Sequence, residues 1–250
     1  MSRIPRAFFA QCTTFSRGFL LAPASFTGPR IKGLPSAGLP ATLETDRSLF
    51  AGTPMSKGEA TRKRIVERAA DLLNTQGYLG TPVSEIMRVA GLQKGGIYRH
   101  FESRSALTLE AFEYAVGRMR DRLLDSLKGK PTAKEKLLAL FAVARNASRE
   151  EAFRGGCPIM NLAVESDDAD PALRDAARKA MGQLIGLFER VIAEGIKQGE
   201  FPAGDDAHAR ATLIVASVEG GVLLSNLYKD RKYMETVLDH LERSIQTGCR

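Results

Sequence analysis

Residues 81–101 read Thr81-Pro82-Val83-Ser84-Glu85-Ile86-Met87-Arg88-Val89-Ala90-Gly91-Leu92-Gln93-Lys94-Gly95-Gly96-Ile97-Tyr98-Arg99-His100-Phe101. A hydroxyl residue followed by proline is an N-cap with proline at the first helical position, so Thr81-Pro82 predicts a helix start. Its inward face is Val83, Ile86, Met87 and Ala90, and Gly91 stops it. A third short segment, Gln93 to His100, follows at once, with Leu92, Ile97 and Phe101 as its apolar contacts. Two helices this short cannot bury enough surface alone. They become stable when clamped by helices on either side, which is the layout of a helix-turn-helix. The outward positions of the third segment are Gln93, Lys94, Tyr98, Arg99 and His100, with no carboxylate among them. Such a surface suits phosphates and base edges. Gly95 and Gly96 each weaken a helix by about 1 kcal/mol relative to Ala, and close backbone approach to a bulky partner is what such residues permit.

The flanking sequence supplies the clamps. Ile65, Val66, Ala69, Leu72 and Leu73 recur at helical spacing and predict an amphipathic helix over Arg62 to Asn74. Ser103 caps a further helix whose inward stripe is Leu107, Ala111, Tyr114, Ala115, Met119 and Leu123. The chain of 250 residues carries a formal charge of +7, with 36 Lys and Arg against 29 Asp and Glu. Residues 1–54 hold six basic and two acidic side chains, and residues 55–102 hold eight and five. The remainder balances at 22 of each. The basic excess therefore sits on the leader and the helix-turn-helix region, where an anionic partner would bind.

The runs Thr61-Arg62 through Gly77-Tyr78, Thr81 to Ile86, Ala90 to Phe101 and Ser103-Arg104-Ser105-Ala106-Leu107 resemble the N-terminal domain of TetR-family transcriptional repressors. The resemblance covers about 50 residues at fixed spacings. It implies an all-α fold: an N-terminal three-helix helix-turn-helix DNA-binding domain (55–102, with the helix-turn-helix over about 81–100), then a C-terminal helical effector-binding and dimerisation domain (103–250). By the same resemblance Gln93, Lys94 and Gly95 face base edges, and Tyr98, Arg99 and His100 contact phosphates and sugars. Thr61, Thr81, Ser84 and Arg104 fix the domain on the phosphate backbone from neighbouring helix ends. Gln93 stands where the family commonly has Ser or Thr, and Arg104 where it commonly has Lys. His100 has the alternative of packing on the first helix, and Tyr98 of lying half in the core.

Helical stripes continue through Leu137, Leu138 and Phe141, then Leu173, Ala177, Ala180, Leu184, Leu187, Phe188, Val191 and Ile192. Asp170-Pro171 is a start signal and Gly199 a stop. Two more helices are predicted over about 205–228 and 231–245. The resemblance implies a homodimer through these last two helices, whose recognition segments would lie about 34–36 Å apart on a palindromic double-stranded DNA operator.

Gly155-Gly156-Cys157-Pro158 breaks one helix and starts another, with Cys157 at or next to its N-cap. A thiol at a helix N-terminus can have a lowered pKa. The segment is similar to that of TetR-family members with a Gly-Cys followed by an apolar helix bearing Glu eight residues after the Cys, here Glu165. In some of these the cysteine senses electrophiles; the alternative is a small buried hydrophobe. A cavity lined by Phe141, Met160, Leu184 and Phe188 is a second candidate effector site.

The expected function is a repressor released from its operator by a small-molecule or electrophile effector. Three scattered cysteines, Cys12, Cys157 and Cys249, offer neither a disulfide framework nor a metal site, which places the chain in the cytoplasm. No phosphate-binding glycine loop, paired carboxylates or oriented nucleophile is recognisable, so no cofactor and no catalysis are expected. No stretch approaches the roughly 18 uninterrupted apolar residues of a membrane span, and no membrane partner is expected. Residues 1–54, with Pro5, Pro23, Pro29, Pro35, Pro40 and Pro54, carry no helical or strand period. They fit an organelle transit peptide, a disordered basic arm, or sequence ahead of a true start at Met55.

Overall fold

Ser56 starts the first described helix by a reciprocal capping box. Its hydroxyl accepts from the Glu59 amide at 3.2 Å and the Glu59 carboxylate accepts from the Ser56 amide at 2.8 Å. The computed structural model describes residues 56–93, 96–147, 154–166 and 170–247. Residues 1–54, Lys94 and Gly95 lie outside the described residues, together with the expectations that fall on them. The described elements are α1 (Lys57–Gln76), α2 (Val83–Ala90), a single 3-10 turn (Ile97–Arg99), α3 (Arg104–Ser126), α4 (Ala133–Ala147), α5 (Pro158–Ser166), α6 (Pro171–Lys197), α7 (Ala207–Tyr228) and α8 (Lys232–Thr247). Among the described residues there is no strand, and the fold is all-α.

Start and stop signals account for most of the boundaries. Ser103 caps α3 through the Ala106 amide, and Asp170 caps α6 through the amides of Ala172 and Leu173, with Pro171 in the first turn. Gly91 ends α2 in the left-handed conformation, at φ 67° and ψ 37°. Two local expectations need correction. Thr81 does not cap α2: Pro82 occupies the cap position, and the Thr81 hydroxyl donates back to the Gly77 carbonyl at 2.6 Å. The segment after Gly91 is also less helical than its pattern suggests. The Gly96 amide donates to the Gln93 carbonyl at 2.9 Å, and only the 3-10 turn follows.

α3 is the spine between the two halves. On one side its Leu107, Ala111 and Phe112 are buried with Ile65, Ala69 and Leu73 of α1 and with Ile86 and Ile97. Phe112 meets Tyr78 edge to face at 6.0 Å between ring centroids. Polar ties run along the same seam: Arg62 pairs with Glu110, and Arg118 with Asp71 at 2.8 Å. Further along, α3 packs on α4, α5 and α6. α6 is the centre of the second half, in contact with α4, α5 and α7, while α8 closes against α4 and α7.

α7 is apolar all round. By length and composition it passes for a membrane span. One side buries Ile214, Val215, Glu219 and Gly221 against neighbouring helices, and the other leaves Leu213, Leu223 and Leu227 exposed.

Candidate DNA-reading face and effector cavity

On the helix-turn-helix, the core is set by Ile86, Ile97 and Phe101, all buried. Those anchors turn Gln93, Tyr98 and Arg99 outward; Tyr98 is 59% exposed, so it is no part of the core. His100 is half-buried, and its carbonyl accepts from Arg62 Nε at 3.3 Å. The Arg62 guanidinium also stacks over the Phe101 ring, 4.6 Å from its centroid, so α1 clamps the end of the recognition segment.

The supporting residues divide. Ser84 is exposed on α2 and free to face a phosphate. Thr61 is half-buried, with its hydroxyl turned to the Lys57 carbonyl at 2.9 Å. Thr81 is 2% exposed. Arg104 reaches from the start of α3 to the loop before α2, donating to the carbonyls of Leu79, Thr81 (2.7 Å) and Tyr78 (3.3 Å). In this arrangement Thr81 and Arg104 set the pose of α2 from within the protein.

In the second half, Phe141, Leu184, Phe188 and Cys157 converge on one cavity of about 110 Å³ among α3, α4, α6, α7 and α8. Phe141 and Phe188 stack at 6.5 Å between centroids. Met160 is not in the lining: it sits on α5, half-buried against the core beside the cavity. Apolar side chains make most of the wall, and an apolar void of this scale in other proteins admits a benzene-sized molecule. Glu219 of α7 enters the wall at 7% exposure. Burial raises its carboxyl above the usual glutamate range, and its Oε2 has no hydrogen-bond partner.

Cys157 does occupy the cap position of α5, where the Asn161 amide donates to its carbonyl at 3.1 Å. The lowered thiol pKa expected of a helix N-terminus is reversed, however. Burial pushes the Cys157 thiol well up, and the neighbouring Glu219 carboxyl adds to it; amides at the start of α5 oppose this only in part. Desolvation outweighs the helix end, so the thiol stays protonated and hydrogen-bonds Glu219.

One connection was not anticipated. The segment 154–165 contributes Gly156 and Cys157 to the cavity wall and grips the N-terminal half on its other side. Asn74 at the end of α1 donates to the carbonyls of Arg154 (2.8 Å) and Gly156 (3.1 Å). Asn161 answers by donating to Asn74 Oδ1 at 3.0 Å. Gly155, at φ 93°, lies so close that a Cβ there would stand 2.2 Å from the Asn74 carbonyl oxygen. Glu165 then accepts from the backbone amides of Tyr78 (3.0 Å) and Leu79 (2.8 Å). The sequence marks Glu165 only by its distance from Cys157. Asn74 carries no signal, because an asparagine at a helix end reads as an ordinary terminus.

A recognition segment presenting polar and basic side chains, set in a three-helix unit and joined to a helical domain with an apolar cavity, defines a DNA-binding regulator. The chain belongs to the TetR family: the pattern described as "Bacterial regulatory proteins, tetR family" matches residues 65–111, and "Tetracyclin repressor-like, C-terminal domain" matches 133–241. A TetR transcriptional regulator of Chloroflexus aurantiacus is 39% identical, with a TM-score of 0.74 over 77% of this chain and 97% of that one. A TetR-family regulator of Cytophaga hutchinsonii is 32% identical, with a TM-score of 0.73 over 78% and 98%. The Escherichia coli HTH-type transcriptional repressor NemR is 22% identical over 188 residues, 75% of this chain and 94% of the relative. The protein is thus a DNA-binding transcriptional regulator and not an enzyme.

Proposed function

We propose that the protein is a homodimeric cytoplasmic repressor, released from a palindromic operator when a small molecule fills the cavity beside Cys157. Support comes chiefly from the shared segment 154–165. Gly156 and Cys157 line the cavity, and the same few residues hold Asn74, Tyr78 and Leu79 at the base of the DNA-binding half. A ligand that displaces the Gly156–Cys157 wall acts directly on the pose of α1 and α2. It favours a conformer whose recognition segments no longer match successive grooves, and DNA and ligand weaken each other reciprocally. The cavity is the preferred input. A buried, protonated thiol is a poor nucleophile, so electrophile attack on Cys157 requires a prior opening.

On the DNA, Gln93, Lys94 and Gly95 read base edges. Tyr98, Arg99, His100, Ser84 and Thr61 meet the backbone, and Thr81 and Arg104 hold α2 in place. The stripe Leu213, Ala216, Gly220, Leu223 and Leu227 on α7, exposed apart from the half-buried Gly220, repeats at spacings of three and four. A second copy would cover it, with α8 alongside. A Cβ at Gly220 would meet nothing within 4 Å, so α7 has room there for the close approach of another helix.

The test is selection of DNA by the full chain from a random library, followed by binding of the selected fragment across a salt series with and without N-ethylmaleimide. Tight binding that survives excess nonspecific DNA, as a two-fold symmetric site, is the expected result. Binding that is weak, steeply salt-dependent and indifferent to sequence sinks the repressor reading. Rapid loss of binding on alkylation at Cys157 moves the input from the cavity to the thiol.

A further inference from the structure

Glu219 is the anomaly of the second half. Its carboxyl sits in an apolar wall with Phe141, Phe188, Val215 and Val218 around the cavity, and one of its two oxygens, Oε2, is buried without a donor. A buried acceptor left without a donor is costly. Among the described residues no cation is paired with it. Arg145, which also lines the cavity, is held by Glu235, Asp239 (3.1 Å) and Glu242 (2.8 Å). Arg231, at the same end, lies 3.5 Å from Glu235 and donates to the Arg145 carbonyl at 3.1 Å. Both cationic groups of the wall are thus already matched by carboxylates, so an anionic ligand finds no uncommitted cation there. Beside the apolar surface, Ser225 and Asn226 add neutral polar groups to the wall, and Glu219 supplies its carboxyl.

From these contacts we infer that the cavity takes an amine carried on an apolar body, with the nitrogen donating to Glu219 Oε2 and the body lying against Phe141 and Phe188. This rests on the reading of the cavity as the effector site and names the chemical class of the effector. The amine supplies the donor that Oε2 lacks, and its charge is balanced by the same carboxylate in a site of low polarity, where such a pair is strongest. The same carboxyl hydrogen-bonds the Cys157 thiol, so an amine on it acts directly beside the segment that carries the grip on α1.

Three probes of one shape and near the size of the cavity separate the chemistries: benzylamine, benzyl alcohol and benzoate, titrated calorimetrically into the full chain. The amine is expected to bind at least about tenfold more tightly than the carboxylate, with the alcohol between them. In Glu219→Gln, of nearly the same shape, the amine is expected to lose about tenfold and the carboxylate to be unaffected. Equal affinities in the wild-type chain, or failure of all three to bind at millimolar concentration, overturns the proposal without reference to any variant. Release of the selected DNA fragment is read in parallel. If the amine ranks as expected but leaves a sequence-specific complex intact, the amine site stands and the induction mechanism falls. If other compounds release the DNA and the amine neither binds nor releases it, the repressor reading stands and the amine site falls.

Discussion

Glu165 stands 2.8 Å from the amide of Leu79, so a side chain of the effector half holds the backbone of the loop that launches α2. The neighbouring amide of Tyr78 donates to its other oxygen. A carboxylate that accepts from two adjacent amides is a fixed joint, whereas a single long side-chain contact would swing. Glu165→Ala leaves both amides without their acceptor. The expected loss is about 1–3 kcal/mol, read as a fall of several degrees in the thermal midpoint. The more telling readout is the response to effector. DNA binding in this variant should depend less on ligand than in the wild type, because the cavity wall no longer grips the DNA-binding half. A variant that is destabilised yet responds fully would show that coupling runs through α3 instead.

Most of the fold is legible in the sequence, because start and stop signals coincide with the apolar period. Ser103, Asp170-Pro171 and Gly91 end or begin helices where their chemistry requires it. The stripe from Leu173 to Ile192 is the buried face of α6. Thr81 misleads because its hydroxyl has a competing acceptor, the Gly77 carbonyl, which depends on how the preceding loop folds. Cys157 misleads for a different reason. Its helix position is local and readable, but its burial depends on tertiary packing, and the Glu219 carboxyl that adds to the shift lies on α7, more than fifty residues away in sequence. Glu219 has no mark in the sequence, since nothing in the run around it says which side of α7 meets the cavity. Phe141, Leu184 and Phe188 line one cavity, while Met160, one helix removed, does not.

The apolar face of α7 leads to a prediction about assembly. Leu213 and Leu227 are each 68% exposed and lie on the stripe with Gly220 between them. A Leu213→Glu, Leu227→Glu double variant puts two carboxylates on that face and touches no buried residue. Sedimentation should give a dimer for the wild-type chain and a monomer with unchanged helix content for the variant. Because two linked half-sites bind far more tightly than one, operator affinity should fall by roughly a hundredfold or more. A variant that stays dimeric places the interface elsewhere.

Glu219 also sets a pH dependence of stability. In the unfolded chain its carboxyl titrates near 4.5, and in the folded protein burial raises that value. Above 4.5 the unfolded state therefore sheds this proton before the native state does, and the native state is progressively disfavoured as pH rises towards the folded value. Asp170 works in the opposite sense. The Ser105 hydroxyl and the α6 amides lower its pKa, so its contribution is lost as pH falls below the usual carboxylate range, and solvent screening keeps it small. Denaturant midpoints measured from pH 4 to 8 should fall less steeply with pH in Glu219→Gln than in the wild type. Parallel profiles would mean that the folded carboxyl titrates normally and is wetter than its burial implies.

At the DNA-reading face, Arg99 and Gln93 separate two kinds of contact. Both side chains are exposed, so neither Arg99→Ala nor Gln93→Ala should disturb the fold. A phosphate contact is independent of sequence and releases counterions. Removing one from each protomer should flatten the slope of log affinity against log salt by roughly two, at about 0.9 per neutralised phosphate. Arg99→Ala is expected to do this while leaving the preferred DNA sequence unchanged. A base contact behaves in reverse. Gln93→Ala should lower affinity for the selected site by about 1–3 kcal/mol per half-site and relax the base preference at one position, with the salt slope intact. Gln at this position can address adenine through both edge groups, so the relaxed position should be an A·T pair. If the two variants exchange these signatures, the segment is rotated on the groove relative to the assignment made for it. If neither changes binding, the recognition surface lies on α2, where Ser84 and Arg88 face outward.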